Sequence, residues 1–107
     1  MTPEQQDARI SRLVSSARAL LSLQVGFYVG ARRIENALSW LGPDFKARHQ
    51  VFATFTDAVP LDLPVGTARL FWNPETMLAT DAQLASVEAR FRAQLLAECL
   101  EIIRNYG

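Results

Sequence analysis

The sequence predicts an all-α fold, a small antiparallel bundle of three main helices that forms a single domain over residues 1–107. Three observations favour this class. Apolar residues recur at steps of three and four near both ends of the chain, helix-capping residues precede those segments, and the good helix formers Ala, Leu and Arg are abundant. The chain has 107 residues, 50% of them hydrophobic, with five glycines and five prolines. This composition can bury a core, and it excludes a disordered tail, a collagen-like chain and a disulfide-stabilised miniprotein.

The first two helices are expected at about 3–22 and 25–41. Thr2 and Gln5 have the capping-box spacing that begins a helix, and Gly42, followed by a proline, is typical of a helix end. One apolar stripe continues through both segments, but in a single straight helix of that length it would rotate by about 140°. We therefore expect a break between the two segments; a single bent helix is the alternative.

Residues 43–80 are expected to form a long loop that contains prolines and short helical turns. Pro60 and Pro64 lie four residues apart. Because proline lacks an N–H donor and restricts the residue before it, residues 55–66 are expected to be extended rather than helical. Short helical turns are expected before this stretch, and Pro74 suits the first position of another.

The third main helix is expected at about 81–105. Thr80 and Gln83 repeat the capping-box spacing, and an apolar face follows with a period of about 3.67 residues, that of a straight amphipathic helix. Cys99 lies on this face, where a free cysteine behaves as a small hydrophobic residue. It is the only cysteine, so no disulfide can form within the chain.

The formal net charge is zero, with eleven Lys and Arg against eleven Asp and Glu, which argues against a strongly basic nucleic-acid binder. The charges are unevenly placed. Residues 1–54 hold seven cations and four anions, and residues 55–107 hold four cations and seven anions. No basic leader precedes an apolar run, and no run of about 18 apolar residues could span a membrane. The expectation is a cytoplasmic protein that makes no membrane contact.

Few side chains are suited to catalysis. His49, the only histidine, lies in the polar run from Lys46 to Gln50 and is expected on the surface, in contact with water. His49 and Cys99 lack any common zinc-ligand spacing, and no glycine-rich phosphate loop is present. We therefore expect no catalytic residue, no metal ligand and no cofactor, and predict that the protein is not an enzyme.

Two surfaces of opposite charge are candidates for partner binding. In the middle segment, apolar side chains flank two carboxylates in a stretch without cations, and the predicted contact residues are Phe55, Asp57, Leu61, Asp62 and Leu63. The alternative for the aromatic residues is that they fill the core beneath the loop. The basic surface is expected on the outer face of the N-terminal helices, formed by Arg12, Arg18, Arg32 and Arg33. A solvated face is its ordinary explanation, and binding of nucleic acid or an acidic partner is the functional one.

A patterned stretch crosses the middle segment: Leu63-Pro64-Val65-Gly66-x-x-Arg69-x-x-Trp72-Asn73-Pro74-Glu75-x-x-Leu78-x-x-Asp81. It resembles the signature of a family of small, uncharacterised bacterial all-helical proteins, and the run Ala17-Arg18-Ala19-Leu20-Leu21, the glycines at 26 and 30 and the cysteine at 99 are similar as well. The resemblance implies a helical fold and no mechanism. The residues expected to shape the loop are Pro64, Gly66, Arg69, Trp72, Asn73 and Pro74.

Small proteins of this appearance are found as antidotes to secreted or contact-delivered bacterial toxins, and this looser resemblance implies a function. We expect a non-catalytic binding protein, specifically an immunity protein that blocks a cognate toxin; nuclease toxins of contact-dependent growth inhibition are one such class. The alternatives are a helical regulatory or adaptor domain that acts as a homodimer, and a small nucleic-acid-binding protein.

Overall fold

The computed structural model describes residues 2–59 and 74–107, with the side chains of the second range described from residue 82 onward. These residues form helices and turns and no strand, which confirms the all-α class. The helices are α1 Pro3–Leu21, α2 Phe27–Leu41, α3 Pro43–Arg48, α4 Val51–Ala58 and α5 Pro74–Tyr106.

The predicted capping box begins α1. The backbone N–H of Gln5 donates to Thr2 Oγ1, and the backbone N–H of Thr2 donates to Gln5 Oε1, each at 3.2 Å. α1 ends at Leu21, one residue before the predicted boundary, and α2 begins at Phe27, two residues after the predicted start. Between them Leu23 adopts a positive φ of 59°. The chain therefore forms two helices here, as predicted, and not a single bent one.

α1 and α2 form an antiparallel hairpin. Near the turn, Leu20 packs so closely on Gly30 that a Cβ added to the glycine would lie 2.8 Å from Leu20 Cδ1. At the other end, Arg9 Nη1 donates a hydrogen bond to the Trp40 carbonyl oxygen at 2.9 Å. The missing side chain at Gly30 thus lets the two helices approach each other where the hairpin begins.

Two short helices, α3 and α4, occupy the first part of the expected loop. The prediction of an extended chain is wrong for residues 55–58, which belong to α4. The prolines that disfavour a helix begin only at Pro60, and α4 itself contains neither glycine nor proline. Burial also favours the helix, because Phe52 and Phe55 point into the core from one face of it.

The last helix is longer than the sequence predicts. α5 begins at Pro74, not near residue 81, and continues for 33 residues to Tyr106. Pro74 takes the first helical position, as expected, but no second helix starts at Thr80, because residues 75–80 contain no glycine or proline to end the first one. At about 1.5 Å per residue α5 is about 50 Å long, which matches the 50 Å longest dimension of the molecule.

The core lies between α1, α2, α4 and α5. α5 runs antiparallel to α1, since Arg92 lies over the Phe27 ring at the start of α2 and Tyr106 lines a groove with Val14 in the middle of α1. The fully buried apolar residues are Leu13, Ala17, Leu20, Ala31, Ile34, Phe52, Phe55, Leu95, Cys99 and Ile102. The three predicted main helices therefore supply most of the core, and α4 covers its remaining side.

Candidate functional site

The only histidine is buried, and the prediction of a solvated surface histidine is wrong. The His49 side chain is 4% exposed; its Nδ1 lies 2.5 Å from Glu98 Oε1 and its Nε2 lies 3.1 Å from Tyr106 Oη. His49 follows α3, whereas its two partners are on α5. The hydrogen bonds therefore tie the corner between α3 and α4 to the C-terminal half of the longest helix.

The order of groups, hydroxyl, imidazole and carboxylate, is that of a nucleophile activated by a histidine. The Glu98 carboxylate, which can only accept, lies at hydrogen-bond distance from His49 Nδ1, and the Tyr106 hydroxyl lies at hydrogen-bond distance from Nε2. The Tyr106 ring, however, is packed against Phe45 with ring centres 5.6 Å apart and edge-on to the imidazole at 5.7 Å. The three polar groups satisfy one another inside a packed cluster, an arrangement that orders this part of the fold.

Cys99 is buried in the core, as its place on the apolar face predicts. Burial, and to a smaller extent the charge of Glu98, raises the pKa of the Cys99 thiol to about 12. Because the thiolate is the reactive form of cysteine, such a thiol is a poor nucleophile near neutral pH. Within residues 2–59 and 82–107, no group of three or more His, Cys, Asp or Glu side chains is placed to hold a metal ion.

The four arginines of the predicted basic surface do not form one stripe. Arg12 and Arg33 line the same groove between α1 and α2. Arg18 lines a different groove, with Tyr106 and Gly107 at the end of α5. The fourth, Arg32, donates from Nη1 to Glu35 Oε2 at 3.1 Å. The Glu35 carboxylate also accepts a hydrogen bond from the Thr56 hydroxyl, and this bond joins α2 to α4.

The groove between α1 and α2 holds the most exposed large apolar side chain in the described part of the chain. Trp40 is 60% exposed, and the Arg9 guanidinium carbon lies 5.1 Å from the centre of its ring, a cation–π distance. The groove has two adjoining halves, of about 300 and 290 Å³, which share Arg12, Ala37 and Trp40. We call it the arginine–tryptophan groove. Sequence reasoning overlooked Trp40, although its position one residue before Leu41 puts it off the apolar stripe and predicts exposure.

The predicted acidic surface is only partly described. Phe55 is fully buried and packs against Phe91 with ring centres 5.6 Å apart, so the prediction that it contacts a partner is wrong and the alternative of core packing is confirmed. Asp57 is exposed on α4, where Lys46 of α3 lines the same groove, so this carboxylate is not isolated from cations. Other predicted residues lie outside the described ones: Leu61, Asp62, Leu63, Pro64, Gly66, Arg69, Trp72 and Asn73.

Comparisons with protein-family models, with curated proteins and with solved structures find no match to this chain. The resemblance carried by residues 63–81 and the looser resemblance to toxin antidotes therefore stay predictions. Within the described residues, no helix combines the length and the apolar character needed to cross a membrane.

Proposed function

We propose that this chain is a non-catalytic protein-binding domain, an immunity protein that blocks a cognate bacterial toxin in the cytoplasm. The observation that supports binding is Trp40, a large aromatic side chain that is 60% exposed on a helix and has arginines around it. Tryptophan and arginine are enriched among the few residues that contribute most of the free energy of protein association. An exposed tryptophan that is already held in place is therefore suited to contact a partner.

The way the chain uses its reactive side chains favours binding over catalysis. His49 is held between Glu98 and Tyr106 inside the fold, and the raised pKa of Cys99, about 12, suppresses its thiolate. Both groups are packed inside the bundle, so the binding surface that we propose is sought on the exposed helix faces of the described residues. The toxin as partner rests on the looser resemblance of the sequence to known antidotes.

Co-expression tests this function. Many antidote genes lie beside the gene of their toxin, so the reading frames adjacent to this gene would be expressed in a heterologous bacterium with and without the chain. We expect one of them to stop growth alone and to be harmless when the chain is present. If no adjacent product is toxic, or if the chain protects against none of them and binds none after purification, the immunity function is wrong.

Three variants locate the contact surface in the same assay. Trp40→Ala is expected to lose protection, whereas Leu100→Ala, which shortens another exposed apolar side chain at 47% exposure, is expected to keep it. Asp57→Asn tests the acidic surface, because loss of protection in this variant alone would place the contact on α4. Circular dichroism confirms that each variant is folded.

Nucleic-acid binding is a second candidate that one observation favours. The structure brings Trp40 into the groove of Arg12 and Arg33, and an aromatic ring among cations is the arrangement on which single-stranded bases stack. A nucleic-acid binder would hold an oligonucleotide with an affinity that falls steeply as salt is raised. Arg12→Gln/Arg33→Gln would abolish that binding.

A further inference from the structure

The arginine–tryptophan groove has the dimensions of a seat for one helix. On α1 its lining extends over the twelve residues from Gln5 to Ser16, whose Cα atoms span about 17 Å along the helix axis. Its lining includes three small side chains, Ala8 and Ser16 on α1 and the buried Ala37 on α2. Small residues along a seam between two helices let a third backbone approach closely and pack its ridge into the groove.

The groove is positively charged. Arg9, Arg12 and Arg33 line it, and none of the described residues that line its two halves is Asp or Glu. Neither Arg12 nor Arg33 makes an ion pair within residues 2–59 and 82–107. The neighbouring Arg32, by contrast, pairs with Glu35. Among the described residues, these two guanidinium groups beside an exposed indole have no carboxylate partner, and carboxylates of another molecule could pair with them.

We propose that this groove binds an acidic amphipathic helix of the partner protein, with its carboxylates on Arg12 and Arg33 and an apolar side chain against Trp40. The inference rests on the proposed protein-binding function and names the chemistry of the partner. Charge complementarity of this kind selects the partner and sets its register along the groove.

Two features favour an acidic helix over nucleic acid. One face of the Trp40 ring is occupied by the Arg9 guanidinium, which removes a face on which a base would stack. The chain as a whole has no net charge, and Glu4 and Asp7 are exposed on the same helix that lines the groove, so a phosphate backbone that extends past the groove meets repulsion. A short acidic helix that lies within the groove contacts a lining that, among the described residues, holds three arginines and no carboxylate.

Fluorescence anisotropy of a labelled peptide tests the inference. The probe is a 16-residue helical peptide of Ala and Leu with Glu at positions i, i+4, i+7 and i+11, and its matched control has Gln in place of Glu. We expect saturable binding of the Glu peptide, at least about tenfold tighter than that of the Gln peptide. Equal binding of the two peptides, or no binding of either, overturns the acidic helix.

Two double variants with the same change in net charge distinguish binding in the groove from non-specific attraction between the acidic peptide and the arginines of the protein surface. Arg12→Gln/Arg33→Gln is expected to weaken binding of the Glu peptide by about tenfold or more. Arg18→Gln/Arg32→Gln removes two arginines of the same two helices that lie outside the groove, and it is expected to bind as the unaltered chain does. Equal losses in both variants overturn the inference.

Further arms distinguish other occupants and separate this inference from the immunity function. A labelled oligothymidine that binds more tightly than the Glu peptide identifies nucleic acid as the occupant, and light scattering that shows a dimer lost in Arg12→Gln/Arg33→Gln identifies a second copy. Either result overturns the acidic helix.

If the chain protects against a toxin and Arg12→Gln/Arg33→Gln still does, the groove inference fails while the function stands. If no toxin is neutralised, the peptide titration still decides the groove.

Discussion

The imidazole of His49 lies between the Glu98 carboxylate and the Tyr106 hydroxyl, which are eight residues apart on α5. A buried polar group that loses one partner retains the cost of its desolvation, so each member of this cluster depends on the other two. The cluster therefore acts as a specific polar link between α5 and the corner after α3. Apolar packing alone would fix the position of that corner less closely.

Removing the tyrosine hydroxyl tests this link. We expect Tyr106→Phe to lower the free energy of unfolding by about 1–2 kcal/mol, because His49 Nε2 would remain buried without a donor. Urea unfolding measures the change. Tyr28→Phe is the matched control, since no hydrogen bond of the Tyr28 hydroxyl is found within the described residues; this variant is expected to be as stable as the unaltered chain. If the unaltered chain, Tyr106→Phe and Tyr28→Phe have the same free energy of unfolding, the Tyr106 hydroxyl does not stabilise the fold.

The buried thiol gives the stability a dependence on pH. The pKa of Cys99 rises from 9.0 to about 12 on folding, so between these values the folded state binds the proton more tightly than the unfolded state. This contribution to stability is complete below pH 9 and is lost as the pH rises towards 12. We expect the free energy of unfolding to fall more steeply with pH in this window for the unaltered chain than for Cys99→Ala. Parallel curves would contradict a raised pKa.

The sequence predicts residue environments well only where local spacing decides them. Cys99 lies on a strongly periodic face, and its burial follows from that face alone. His49 has polar neighbours, Lys46, Arg48 and Gln50, which predict exposure. Its burial depends on partners that are 49 and 57 residues further along the chain, and no local pattern contains that information.

At the scale of elements, the turn between α1 and α2 holds a residue in an unfavourable conformation. Leu23 has a φ of 59°, a region in which the Cβ of an L-residue meets the backbone, at a cost of about 1–2 kcal/mol. Its side chain is 54% exposed, so little packing offsets this cost. Leu20 and Gly30 pack closely against each other on either side of this turn.

Glycine at this position should stabilise the protein. We expect Leu23→Gly to raise the free energy of unfolding by about 0.5 kcal/mol, since relief of the backbone strain exceeds the added entropy of the unfolded chain. Gln24→Gly, in the same exposed turn but without a positive φ, is the control and should lower it. Thermal unfolding measures both variants. A loss of stability in Leu23→Gly would mean that Leu23 makes a packing contribution larger than its strain.

The ends of helices are predictable where a specific residue starts or stops them. The capping box of Thr2 and Gln5 and the stop at Gly42 are both found in the structure. The start of α5 is not predicted correctly, because a second capping signal at Thr80 lies within a stretch that has no helix breaker. α4 is predicted only in part: a helical turn is expected before residue 55, but its continuation to Ala58 depends on the burial of Phe55 among helices elsewhere in the chain.

At the scale of the whole molecule, one long helix determines the shape. The Cα radius of gyration is 14.8 Å and the dimensions are 50 × 25 × 23 Å, whereas a compact chain of this length has a radius near 13 Å. Residues of α5 from Leu84 to Tyr106 pack on the other helices. The larger radius goes with the elongated shape, whose 50 Å longest dimension is about the length of the 33-residue α5.

Scattering in solution tests both the shape and the homodimer alternative. We expect light scattering to give the mass of one chain, about 12 kDa, and small-angle X-ray scattering to give a radius of gyration near 15 Å, because the arginine–tryptophan groove needs to be open to receive a partner. A concentration-independent mass of two chains would favour the adaptor that acts as a homodimer. The Gln variants of Arg18 and Arg32 serve as controls for effects of charge on self-association.

The division of charge along the sequence predicts that two surfaces exist but does not predict their composition. Of the four arginines assigned to the basic surface, only Arg12 and Arg33 share a groove, because the hairpin turns the others towards α4 and α5. The same hairpin brings in Arg9 and Trp40 from opposite ends of its two helices. Such a site depends on how the helices face each other, which periodicity along one helix cannot specify.

Because of its contact with Arg9, the Trp40 side chain loses its rotamer freedom when the chain folds and not when a partner binds. The guanidinium covers one face of the indole and bonds the carbonyl of the same residue, so the ring is restrained before any partner arrives. A side chain ordered in the free protein loses little rotamer freedom on association. The groove is in this sense preorganised: the entropic cost of ordering Trp40 belongs to folding, and a partner that binds as we propose would meet an indole that is already ordered.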